Sequence, residues 1–168
     1  RILRAVHTPG GEGPNEGVAG MIRRATRGYK LDRGAFYEHL LDELPRLAEA
    51  EVARETDARA LTELVYPTEE GAGEVDGPRY RFSSPGQKYA LVARSIRRLG
   101  SRRPPLVWLD AAQWGEFAMA LTTLMLESQL VEPAALVVAT IRADVLAEDA
   151  SLREHVDELS EAERCLRI

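Results

Sequence analysis

A single cysteine, Cys165, stands among 168 residues, so an internal disulfide and a multi-cysteine zinc site are both excluded. Any metal would have to be held by histidine and carboxylates. Histidines are also scarce: His7, His39 and His155 lie far apart, and no Gly-x-Ser-x-Gly elbow accompanies them, which disfavours a catalytic triad. His155 has Asp157 and Glu158 beside it, where a charged helix face outweighs a divalent-ion site. Cys165 falls in an apolar stretch and reads as a buried, inert thiol. No run approaches the roughly 18 to 20 apolar residues that span a bilayer, and RILRAVHTPGG at the N-terminus lacks the apolar region of a signal peptide. A cytoplasmic protein is expected. The sequence starts at Arg1 without methionine and stops at Ile168 as an apolar stretch begins, so a fragment of a longer chain is expected too.

What is present is the composition of one globular domain, 45% apolar and 29% charged. The net charge of -5 argues against a globally basic nucleic-acid coat protein, but the charge is blocked along the chain. Residues 1–40 carry +3, 41–78 carry -8, 79–103 carry +8 and 104–168 carry -8. The basic block holds Arg79, Arg81, Lys88, Arg94, Arg97, Arg98, Arg102 and Arg103 with no acid, interleaved with Tyr80, Phe82 and Tyr89. A phosphate-contacting patch is one reading. A solvated helix face paired with the acidic blocks is the preferred one, because only two of the 22 basic residues are lysines and the arginine bias is chain-wide.

Ile2–Val6 reads as a strand running into a Thr-Pro-Gly-Gly loop. From Gly17 the pattern turns helical, with Val18, Met21 and Ile22 on one face and then a stripe of Phe36, Leu40, Leu41, Leu44 and Leu47. Helix continues over 46–66, and 69–78 is a polar acidic loop. Ser84-Pro85-Gly86-Gln87 opens a helix to about Leu99, with Ser84 as cap and Gln87 completing a capping box. Leu106–Leu109 is a strand buried on both faces that stops at Asp110, 115–130 is a well-buried helix, and 134–141 is a second buried strand. A helix at 145–159 and a last strand at 165–168 complete a right-handed α/β unit with a parallel sheet.

Ligands of open α/β sheets bind beyond the carboxyl ends of strands, which singles out Asp110 and Arg142. A carboxylate at a strand end supplies the hard oxygen that magnesium takes; the alternative is a loop-starting Asp or helix cap.

The stretch Pro105-Leu106-Val107-Trp108-Leu109-Asp110-Ala111-Ala112-Gln113-Trp114 resembles the Walker B strand of STAND-type AAA P-loop ATPases. Leu136–Arg142 is similar to the sensor-1 strand of that family, and Cys165–Ile168 to the strand before its helical lid. The resemblance covers mainly 85–168, and the helical segment 17–66 is similar to ATPase modules attached to bacterial Ser/Thr kinases and transcription regulators. It implies a three-layer P-loop parallel sheet with a helical insertion at about 17–100: strand and loop over 1–16, helices over 17–104, and Walker B, sensor 1 and final strand over 105–168. It also implies ATP and magnesium as cofactors, Asp110 on the Mg²⁺, and Arg142 or Thr140 sensing the γ-phosphate.

Two departures matter. The family places a second acid at 111, where this chain has Ala111, so the group that would polarise the attacking water is missing. The phosphate loop GxxxxGK[ST] is missing as well; neither Lys30 nor Lys88 has its spacing, and Glu12, Pro14 and Glu16 spoil the glycine loop 10–17 as a substitute. A fragment beginning after the first strand and phosphate loop is preferred over a degenerate ATPase. In that sheet the missing strand lies between 134–141 and 165–168, leaving those strands unpaired. The expected function is therefore an ATP-binding signal-transduction switch with weak or absent hydrolysis, coupled to other domains of its polypeptide, such as a kinase or DNA-binding regulator, and to a homo-oligomer. A noncatalytic interaction scaffold is the alternative, and a nucleic-acid contact through 79–103 the third reading.

Overall fold

A computed structural model describes residues 1–10, 13–43, 51–68, 77–100, 103–127, 135–162 and 165–168. Strand β1 (Ile2–Val6) is followed by helices α1 (Gly17–Ala25), α2 (Arg33–Glu43), α3 (Glu51–Val65) and α4 (Pro85–Leu99). Strand β2 (Leu106–Asp110), a 3-10 turn (Ala112–Trp114), helix α5 (Glu116–Glu127), strand β3 (Leu136–Ala139) and helices α6 (Ala143–Glu148) and α7 (Ala150–Ser160) follow. The strands form a parallel sheet in the order β1-β2-β3, with Val6 opposite Asp110 and Leu109 opposite Ala139. The α/β class, the parallel sheet and the helical insertion between β1 and β2 are as expected from the sequence, and the strand that ends in an acid is the central one.

Alternation along the strands decides what the sheet covers. Leu3, Ala5, Val107 and Leu109 point to one face and are buried with Val18, Ile22, Leu91, Val92, Ile96 and Leu121 from the helices. Ile2, Arg4, Trp108, Leu136 and Val138 point to the other, where Ile2 is 67% and Leu136 63% exposed. Among the described residues the helices of the core cover one face, and the second helical layer of the three-layer expectation is not seen there, although Leu106 and Trp108 on that face are partly covered. Crossovers between parallel strands are as a rule right-handed, and two that step in the same direction along the order β1-β2-β3 lay their helices on the same side of the sheet.

Three further expectations change. The strand expected at 134–141 is shorter, and it is largely exposed rather than buried, because among the described residues little packs over it besides β2, and only Val137 is partly covered. Cys165–Ile168 is not a strand and has no sheet neighbour, and both Leu166 and Ile168 are exposed. The helix expected over 145–159 is two helices, broken at Asp149, whose carboxylate accepts from the Leu152 amide at 2.9 Å and caps α7. At the start of α4, Pro85 takes the first helical position, yet Ser84 makes no side-chain cap; Gln87 Oε1 instead accepts from the Ser83 amide at 2.9 Å. Leu44, Leu47, Arg102, Leu130 and the acidic loop 69–76 lie outside the described residues.

Charges staple the helices. Glu63 near the end of α3 accepts from Arg33 Nη2 (2.7 Å), the Thr68 amide (2.6 Å) and the Thr68 hydroxyl (3.0 Å), while Arg33 also donates to the carbonyls of Tyr66 and Pro78. Burial alone would push the Glu63 carboxyl up, but the Thr68 and Arg33 donors outweigh it and hold it below its ordinary value of 4.5. A carboxyl lowered by folding stabilises the protein above its ordinary value and loses that contribution as pH falls through the lowered one. Glu63→Gln is therefore expected to cost about 1.5 to 3 kcal/mol at pH 7 and much less in strong acid, as urea unfolding at pH 7 and at the acid limb will read.

Candidate functional site

The carboxyl ends of the three strands meet at Asp110. Its Oδ1 accepts the Thr140 hydroxyl at 2.9 Å, and its Oδ2 accepts Arg4 Nη2 at 2.5 Å. Thr140 stands just beyond β3, and Arg4 comes from the outward face of β1, in register with Trp108, whose ring lies 4.3 Å beneath the guanidinium. The hydrogen bond from Arg4, then that from Thr140, holds the Asp110 carboxyl below the usual carboxylate range, so it is ionised at neutral pH.

The backbone behind this carboxylate is clamped from both sides. The Asp110 carbonyl accepts from the His7 amide and from the His7 ring Nδ1, each at 3.0 Å. Because a carbonyl only accepts, Nδ1 carries the proton, and the buried Nε2 is left without a partner among the described residues. Gly115 packs on this ring so closely that a Cβ there would sit 2.3 Å from His7 Cδ2. On the other side the Thr140 amide donates to the Leu109 carbonyl and the Ala112 amide to the Thr140 carbonyl, both at 2.9 Å. Ala111 turns between them with φ of 54°, in the left-handed region, and its amide donates to the Thr140 hydroxyl at 3.2 Å.

Of the two sensing candidates, the fold brings Thr140 to Asp110. Arg142 is exposed, and its guanidinium pairs with Asp144 at 3.0 and 2.5 Å. Position 111 offers a methyl group and a backbone amide, and no carboxylate. Beside the site, the loop after β1 encloses an open depression of about 300 Å³ lined by Thr8, Gly10, Gly13, Pro14, Asn15 and Glu16. Thr8 donates to Glu16 at 2.6 Å there, so a carboxylate faces the hollow.

Asp110 and Thr140 fit magnesium by donor type: a carboxylate and a hydroxyl are the hard oxygens it takes together with phosphates and water. Among the described residues no three His, Cys, Asp or Glu side chains gather into a cage, so the described side chains by themselves would supply only part of a magnesium shell. Sequence reasoning missed Arg4, and it gave His7 no part in this site. The signal for Arg4 was an arginine at an outward position of an otherwise apolar strand, ILRAV.

The basic segment is split by the fold. Arg94 and Arg98 turn to the buried Asp57 of α3, at 3.1 Å for Arg94. Lys88 and Arg97 are about two and a half turns apart along α4 and so point in opposite directions. Among the described residues no helix is long and apolar enough to cross a membrane. No protein-family model, curated protein or solved structure matches the chain.

Proposed function

We propose that the chain contributes the Walker B and sensor-1 portion of an ATP-binding switch of the STAND/AAA type. The observation that supports it is the contact of the Asp110 carboxylate with the Thr140 hydroxyl at the ends of adjacent parallel strands, with the acid on the central strand. Magnesium, when bound, neutralises phosphate charge; Asp110 would hold it and Thr140 would register the change, because its hydroxyl is shared between Asp110 and the Ala111 amide. His7 ties the same strand end to the loop after β1. With an alanine at 111, no side chain there takes a proton from attacking water, so occupancy rather than turnover carries the signal. The setting proposed is cytoplasmic, with other domains of the same polypeptide and further copies of it as partners.

Calorimetric titration of Mg·ATP into the full-length gene product tests this. Saturable binding that Asp110→Ala weakens at least tenfold, with phosphate release near background, is the expected result. Absence of binding refutes it and leaves the noncatalytic scaffold, a reading favoured by Arg4 already occupying the carboxylate.

A further inference from the structure

Arg4 is an internal cation paired with the carboxylate that would hold a metal. Its guanidinium donates to Oδ2 of Asp110 at 2.5 Å and lies over the Trp108 ring, and with its side chain 49% exposed water can reach this pair. Its other described side-chain contact is the Trp108 ring beneath it, which carries no charge to replace the carboxylate. Its own carbonyl accepts from Arg24 Nη2 at 2.8 Å, which brings a second guanidinium close, and the two repel: burial first, then the charge of Arg4, lowers the proton affinity of Arg24. A bare divalent cation arriving at Asp110 would displace Arg4 and leave it uncompensated beside Arg24 and the cation. A cation arriving with phosphate brings the anionic oxygens that an arginine pairs with most strongly.

We infer that Arg4 is a coupling residue, which makes Asp110 accept a divalent cation only together with a phosphate-bearing ligand. The inference rests on the proposed nucleotide site and adds the rule by which that site rejects free metal. It follows that removing the guanidinium has effects of opposite sign on the two ligands. Free cation gains, since the competing positive charge is gone, whereas the metal–phosphate ligand loses a partner.

The test uses the full-length protein, with Mn²⁺ binding without nucleotide followed by the paramagnetic resonance of free Mn²⁺, and Mg·ATP followed by calorimetry. Arg4→Gln is expected to bind Mn²⁺ about tenfold tighter than wild type, a gain erased by adding Asp110→Asn, and to bind Mg·ATP several-fold more weakly. Arg4→Lys, which keeps the charge, is expected to stay within about twofold of wild type for Mn²⁺, which separates charge from packing; thermal melts confirm that each variant folds. If Arg4→Gln moves both affinities in the same direction, or neither, the coupling role is overturned while Asp110-dependent Mg·ATP binding in wild type keeps the nucleotide reading. If wild type shows no Asp110-dependent Mg·ATP binding, both fall.

Discussion

Phe36→Ala is expected to lower the free energy of unfolding by about 3 to 5 kcal/mol and the melting temperature by about 10 °C or more. Phe36 is fully buried and has the largest volume of the wholly enclosed side chains. Its ring meets Tyr66 edge-on at 5.7 Å, joining α2 to the end of α3, and its other flank lies against Gly28 at the exit of α1. The fit at Gly28 is tight enough that a Cβ there would lie 2.3 Å from the ring. Gly28→Ala should therefore destabilise the wild type, and destabilise it much less once the ring is gone, so the two changes will not add. Urea unfolding of the two single variants and the double variant reads this coupling. The hub also reaches toward the site: Arg23 stacks over Tyr66 at 5.0 Å, donates to the Gly28 and Leu31 carbonyls, and holds Asn15 in the loop after β1 at 2.5 Å.

A loss of about 3 kcal/mol is expected for Asp57→Ala. Asp57 is buried on α3 and accepts from both Arg94 and Arg98 of α4. Arg98 is only 18% exposed, so it loses its counter-charge where water compensates poorly; Arg94 is 49% exposed and adds little. Asp57→Asn keeps the shape and one acceptor and should cost roughly half as much. Urea unfolding at low and high salt separates the two partners, because salt screens the exposed Arg94 pair and largely spares the Arg98 pair.

The strands were legible where apolar runs are short and bounded, as at Ile2–Val6 and Leu106–Asp110, and α4 was legible from its proline and its amphipathic spacing. Burial on one face only was not. A continuous apolar run reads as a strand covered on both sides, and nothing local in LVVA tells that its outer edge and one face are open. Asp110 was visible as the acid that stops a strand. Thr140 was named with it only through the family resemblance, as one of two alternatives, and Arg4 was not named at all, because it reaches Asp110 through a register between strands more than one hundred residues apart. His7 was weighed as a catalytic group and found wanting, whereas its part in the fold, holding the Asp110 carbonyl, depends on that same register. Arg142 attracted notice by its place after the strand and by the sensor-1 resemblance, and a neighbour two residues away, Asp144, pairs with it.

The left-handed backbone at Ala111 bears on how such a site changes over generations. Alanine is poorly suited to that conformation, at a cost of about 1 kcal/mol, and aspartate and asparagine enter it more readily than other side-chain-bearing residues. A single base change turns any alanine codon into an aspartate or a glutamate codon. In the proposed switch, an acid at 111 would thus arise by a single mutation onto a turn already shaped for it, with Thr140 continuing to hold the amide. If the proposed nucleotide site holds, the lifetime of its bound state is a property that selection can retune at one codon, while the fold and its clamp stay as they are.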